Sequence, residues 1–123
     1  MLRKLKLLAA SGSAVTRVSA LAGLPSLSVV DLLKTGVTDV SCLQTCGRLS
    51  ELNLNFTSVT SVEGLADLPC LATLNCNFAP VADYTVLGES GKFESLKEIQ
   101  CSNLINTRPD ITELLRGRGV EVW

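Results

Sequence analysis

Residues 27–48 read LSVVDLLKTGVTDVSCLQTCGR, and the next 22 residues, 49–70, read LSELNLNFTSVTSVEGLADLPC. Laid one over the other, they agree wherever the residue is apolar: Leu27 with Leu49, Val30 with Leu52, Leu32 with Leu54, Val37 with Val59, Val40 with Val62, Leu43 with Leu65. Self-similarity at a fixed short period is the mark of a stacked repeat, in which one unit cannot bury its apolar side without a neighbour. The pattern extends in both directions. A further unit starts at Leu71 and carries a three-residue insertion before Leu96, where a last unit opens with LKEIQCSNL and then departs from the pattern. Upstream, Leu2 to Ser26 reads as the same unit with three extra residues around Ser11-Gly12-Ser13. The expected organisation is one domain over 1–123, with units 2–26, 27–48, 49–70, 71–95 and 96–123.

Two spacings decide the conformation of each unit. In L-x-x-L-x-L alternate residues face opposite ways, so the fourth and sixth positions point inward from a short strand. Those positions hold Leu5 and Leu7, Val30 and Leu32, Leu52 and Leu54, Leu74 and Cys76, Ile99 and Cys101. The following V-x-x-V-x-x-L, as in Val59, Val62 and Leu65, matches a turn of 3₁₀ or α-helix. Stacking then gives an α/β solenoid with five to six parallel strands on one side and short helical turns on the other, about 25 Å long at a strand spacing of ~4.8 Å. The columns resemble the 22-residue class of leucine-rich repeats, to which internalins and the leucine-rich regulatory subunit of protein phosphatase 1 belong. The resemblance covers nearly the whole chain and implies a leucine-rich-repeat fold, while it says almost nothing of function. It also implies an Asn at the ninth position, bonding the backbone of the turn. Here that column reads Ala10, Thr35, Thr57, Ala79 and Leu104, of which only the threonines can supply part of that bonding.

Composition agrees with thin layers. Apolar residues are 46% of the chain but aromatics only 4%, so the core is built from Leu, Val, Ala and Cys. Eleven basic and twelve acidic residues leave a net charge of −1, which gives no electrostatic reason to expect a nucleic-acid partner. No apolar run approaches the roughly 18 residues of a membrane span. The opening MLRKLKLLAA alternates charge with leucine as a strand does, unlike a signal peptide. Five cysteines among apolar neighbours read as reduced thiols, hence an intracellular and cytoplasmic chain.

At the C-terminus, Asp110-Ile-Thr-Glu113 reads as a capped helix start with Asp110 as N-cap, and Pro109 keeps Arg108 out of the helix. Leu114 and Leu115 supply its buried face, and Gly117 or Gly119 ends it. Val120-Glu-Val-Trp123 then alternates as a sixth strand, with Trp123 packed over the last strand or seated at its rim. No such cap precedes Leu2, Leu5 and Leu7. The charges between them, Arg3, Lys4 and Lys6, read as edge protection or as a basic contact patch. An uncovered edge makes self-association there a second expectation.

The chain has no histidine, which removes imidazole bases, Ser-His-Asp and Cys-His arrangements, and His-bearing metal sites. Cys46, Cys76 and Cys101 fall in leucine columns and read as core thiols. LGESGK at 87–92 lacks the spacing of a phosphate-binding loop and reads as the insertion between units. Asp39 and Asp83 recur in one column and read as turn-stabilising carboxylates. No catalytic residue, metal or cofactor is expected. What remains is the outward strand surface: Asn53, Asn55, Asn75 and Asn77 at matched positions, where Asn is a poor strand former, beside Phe56 and Phe78 one unit apart. These six form the expected partner site, with Asp31, Leu33, Glu51, Glu98 and Gln100 around them and a basic or amide-rich partner favoured. The two rings are either anchors for a partner or a stack over their own turns. The functional expectation is a non-catalytic protein-interaction scaffold or regulatory module. An architectural subunit contacting neighbours through the open N-terminal edge is the alternative, and cysteine-based metal or catalytic chemistry a remote one.

Overall fold

The computed structural model describes residues 3–123. Among them, six short strands form one parallel sheet in chain order: β1 (Leu7–Ala9), β2 (Val29–Asp31), β3 (Glu51–Asn53), β4 (Thr73–Asn75), β5 (Glu98–Gln100) and β6 (Glu121–Val122). Each chain pass returns through a 3₁₀ turn, at Ser19–Leu21, Ser41–Thr45, Glu63–Leu65 and Thr85–Gly88. Two helices, α1 (Ser102–Thr107) and α2 (Pro109–Gly117), replace the last return. This is the leucine-rich-repeat solenoid that the two spacings require.

Backbone hydrogen bonds extend each ladder beyond its paired residues. On the approach side, the N–H of Ser28, Ser50, Ala72 and Lys97 donates to Lys6, Ser28, Ser50 and Ala72 respectively, at 2.8–2.9 Å. Past the strands, Leu32 donates to Asn53, Leu54 to Asn75, Cys76 to Gln100 and Cys101 to Trp123. The core is the space between sheet and turns. Leu27, Leu49 and Leu71, Val30, Leu52, Leu74 and Ile99, and Leu43, Leu65 and Leu87 are all buried there in stacked layers. Thr35 and Thr57, buried at the ninth position, donate from Oγ1 to the carbonyls of Leu32 (2.8 Å) and Leu54 (2.7 Å). They perform the turn bonding expected of them.

The first unit is displaced from its expected alignment. β1 pairs Leu7 with Val29 and Leu8 with Val30, so Leu8, not Leu5, occupies the fourth position, and Ala10, not Leu7, the sixth. Counted from Leu5, this unit has the regular 22-residue spacing, with no insertion around Ser11–Ser13. Leucines at 2, 5, 7 and 8 satisfy L-x-x-L-x-L about equally well in either alignment. Tertiary stacking on Val30 and Leu32 selects one of them. The three-residue slip is odd, so it exchanges the faces. Leu7 turns outward and is 57% exposed, while Leu8, expected outside, packs half-buried against the core. Ser13 rather than Ala10 takes the ninth position, its Oγ accepting from the Val15 N–H at 3.4 Å. The expectation for Leu2 lies outside the described residues.

At the other end, α2 begins two residues earlier than expected. Arg108, extended at φ −133°, is its N-cap, Pro109 opens the helix and Asp110 lies within the first turn. Asp110 is instead gripped by the Arg108 guanidinium, Nε to Oδ1 at 3.0 Å and Nη2 to Oδ2 at 2.9 Å. The buried face is Ile111, Thr112 and Leu115; Leu114, expected inside, is exposed. Gly119 closes the helix at φ +87°, with its N–H on the Arg116 carbonyl and that of Val120 on Leu115. This is the paired bonding of a Schellman stop, for which the left-handed glycine is needed. Trp123 continues the β6 ladder, but its side chain is 62% exposed and does not lie as a lid over the sheet.

Candidate functional site

The outward strand surface is set out in rows, because parallel pairing repeats every position at the next strand. The third-position row runs Leu7, Val29, Glu51, Thr73, Glu98, Glu121. The fifth-position row runs Ala9, Asp31, Asn53, Asn75, Gln100, with Trp123 following β6 beside it. Val29, Asp31, Glu51, Asn53, Thr73 and Asn75 line a shallow depression of about 180 Å³ on β2 to β4. Four carboxylates stand in these rows and no lysine or arginine does. None of the four is ion-paired among the described residues, where the ion pairs are Lys92–Asp67 and Arg108–Asp110.

The asparagines are not the uniform hydrogen-bonding surface expected. Asp31 and Asn53 each use Oδ1 to accept from the N–H two residues on, Leu33 at 3.1 Å and Asn55 at 3.0 Å. Asn55 and Asn77 reach sideways into the next unit: Asn55 Oδ1 accepts from the Asn77 N–H, and Asn77 Oδ1 from the Ser102 N–H, both at 2.7 Å. These two therefore staple adjacent units, and their carbonyl oxygens already hold backbone donors. Because Asn77 donates to Asn55, the neighbouring Asn75 receives no such partner, and its Oδ1 is buried without a hydrogen bond. Leu33, in the same column as Asn55 and Asn77, is half-buried and offers no staple. Glu51 is exposed, and Glu98 and Gln100 are half-buried with a long 3.4 Å contact between their side chains.

Phe56 and Phe78 stack on each other, ring centroids 4.6 Å apart and planes inclined by 16°. They nevertheless remain 49% and 69% exposed. Both have left-handed backbone, φ +58° and +61°, as does Lys34 in the same column at φ +57°. That region costs an L-residue about 1–2 kcal/mol, and for a bulky ring it is a marked departure. At Lys34 and Phe56 the ladder holds it, because each donates its N–H to the next unit, to the carbonyls of Asn55 and Asn77 at 3.0 and 2.9 Å. The Lys34 ammonium caps the stack, 5.9 Å from the Phe56 centroid.

Sequence reasoning missed Lys34, Glu121 and Trp123 as members of this surface. For Lys34 the signal was available, since it precedes Phe56 by one 22-residue period.

The titratable groups elsewhere are structural. Asp39 and Asp83 accept at 2.8 Å from the N–H of Ser41 and Thr85, opening two of the 3₁₀ turns. The Ser41 bonds, backbone first, hold Asp39 below the ordinary carboxylate value, and the Thr85 hydroxyl and N–H do so for Asp83. All five cysteines carry free thiols. Cys42 and Cys46 donate to the carbonyls of Val18 and Leu21 in the preceding unit, and Cys101 to the Tyr84 hydroxyl. A bond to Cys101, reinforced by burial, pushes the Cys76 thiol well up. Among the described residues no group of three His, Cys, Asp or Glu side chains is placed to hold a metal ion, and no helix is long and apolar enough to cross a membrane.

No protein-family model and no curated protein matches the sequence. Solved structures do match the fold. Internalin C2 of Listeria monocytogenes superposes over 99% of this chain with a TM-score of 0.77 at 22% identity, and a second internalin (inlF) of that organism over 80% with a TM-score of 0.64, also at 22%. The chain spans 52% of the first of those proteins and 35% of the second. At that identity the likeness speaks for the fold, which is a leucine-rich-repeat solenoid.

Proposed function

We infer that this chain is a non-catalytic protein-interaction module that docks a partner against its strand side. The observation that carries the reading is the Phe56–Phe78 stack. Two large rings stay exposed, on left-handed backbone, beside an amide and carboxylate surface whose spacing the ladder holds rigid. Exposed aromatics on a preorganised scaffold lose little entropy on binding and are the side chains that anchor interfaces. The reading covers a scaffold and a regulatory module alike, working in a reducing compartment.

The test is partner capture from an extract of cells that express the protein, comparing wild type with Phe56→Ala/Phe78→Ala and with Glu51→Lys/Asn53→Arg. Both variants should retain a cooperative unfolding transition and lose the captured partner. Retention of the partner by both folded variants would move the site to the turn side or an edge. The exposed Leu7 on β1, which has a strand neighbour on one side only among the described residues, supports self-association as a second reading. Sedimentation over a concentration series separates it: a monomer throughout removes that reading.

A further inference from the structure

We propose that the occupant of the strand side is a basic, arginine-bearing peptide segment, with one guanidinium lying on the open face of Phe78 and neighbouring cations meeting the strand-side carboxylates. The assignment rests on the strand side being the docking face, and it adds the chemistry of what docks. Three independent features agree.

The first is the order within the stacked column. Lys34 and Phe78 come from the units on either side of that of Phe56, the one with its ammonium over the Phe56 ring and the other stacked on it, so this short column already accepts a cation. At its other end the outer face of Phe78 meets no ring or cation among the described residues, and Phe78 is the more exposed ring. The next residue of the column, Asn103, has been drawn away into α1, where its amide bonds the Tyr84 hydroxyl at 3.1 Å. A planar guanidinium can lie flat on a ring and still direct its N–H groups outward, which an ammonium cannot do.

The second is charge. Asp31, Glu51, Glu98 and Glu121 stand in two rows that contain no cation, although the whole chain is nearly neutral at −1. Lys6 and Lys97 lie at the margin, one residue before their strands. An apolar partner would bury these carboxylates unpaired and an acidic one would be repelled.

The third is hydrogen-bonding polarity. Asn75 lines the depression, and its Oδ1, buried beneath that surface, meets no donor among the described residues. The carboxylates around it give the face an excess of accessible acceptors, and arginine, with five N–H donors and no acceptor, is their complement.

The experiment uses the full chain and a terminally blocked peptide of alternating Gly and Arg, beside matched peptides in which Arg is replaced by Lys, by citrulline or by Glu. Side-chain NMR of the Phe56 and Phe78 rings and of the Asn53 and Asn75 amides follows each titration. The Arg peptide should bind saturably and shift these signals, weakening as salt is added. Lys should bind several-fold more weakly and citrulline, isosteric but neutral, about tenfold or more. Phe78→Ala should cost roughly three- to thirtyfold in affinity, with Phe78→Gly as a control that keeps the turn unstrained, and Glu51→Gln should reduce both affinity and salt dependence. Equal binding of citrulline and Arg at the same signals would overturn the assignment while leaving strand-side docking intact. No saturable binding of the Arg peptide, or preference for the Glu peptide, would overturn it too. Arg-peptide shifts confined to the turn side would overturn both.

Discussion

Replacing Phe78 by Gly and by Ala separates backbone strain from ring packing at one position. The ring is 69% exposed, so little burial is lost with it; its measurable packing is the stack on Phe56 at 4.6 Å. Such a pair is worth about 0.5–1.5 kcal/mol, which Ala forfeits with nothing in return, because Ala carries the same Cβ into φ +61°. Glycine forfeits the same stack but removes a left-handed penalty of about 1–2 kcal/mol, offset by about 0.5–1 kcal/mol for its greater freedom in the unfolded chain. The expected order is therefore wild type and Phe78→Gly within about 1 kcal/mol of each other, with Phe78→Ala about 1 kcal/mol below wild type. The first unit already shows the glycine solution, with Gly12 at φ +68° in the same column. Urea unfolding at equilibrium, with slopes compared to confirm a common unfolded state, gives the three stabilities. An alanine variant at least as stable as the glycine one would refute the strained turn. A loss above about 3 kcal/mol in both would mean that the ring packs like a core residue.

Three further outcomes follow from the same geometry. Gly119→Ala should lower stability by about 1 kcal/mol or more, since φ +87° is required while the space for a Cβ is open; an unchanged urea midpoint would remove the Schellman stop. Asp39 and Asp83 have folded pKa values below their unfolded ones, so the unfolded chain takes up protons first. Their contribution is complete above the ordinary carboxylate range and lost as pH falls through it towards the folded values. Asp39→Asn/Asp83→Asn should flatten that acid limb, and an unchanged slope counts against the two turn bonds. Under native conditions a thiol reagent should label exposed Cys70 first and half-buried Cys42 slowly, its thiol pushed up by burial. Cys46, Cys76 and Cys101 should react only on unfolding, and a third group reacting in the folded protein would contradict their burial.

Periodicity alone determined the solenoid. Leucine and valine columns at 22-residue spacing dictate which side chains must share a layer, and parallel pairing is the arrangement that brings equivalent positions together. Columns with one apolar solution, such as Leu27, Leu49 and Leu71, were legible for that reason. So was the turn bonding of Thr35 and Thr57, a local matter of a hydroxyl three residues from its carbonyl. The tertiary structure decided whatever had two solutions of similar local energy. Leucines at 2, 5, 7 and 8 allow two registers, and only stacking on Val30 and Leu32 chooses between them. Asn55 and Asn77 could point to solvent or to the next unit. They staple because the Asn77 and Ser102 N–H groups are offered there, and that placement in turn leaves Asn75 without a donor. Likewise no local preference predicts phenylalanine at φ near +60°; at Phe56 the bond to the Asn77 carbonyl of the neighbouring unit holds it, and the stack with Phe78 sets the exposed rings on which the proposed docking face depends.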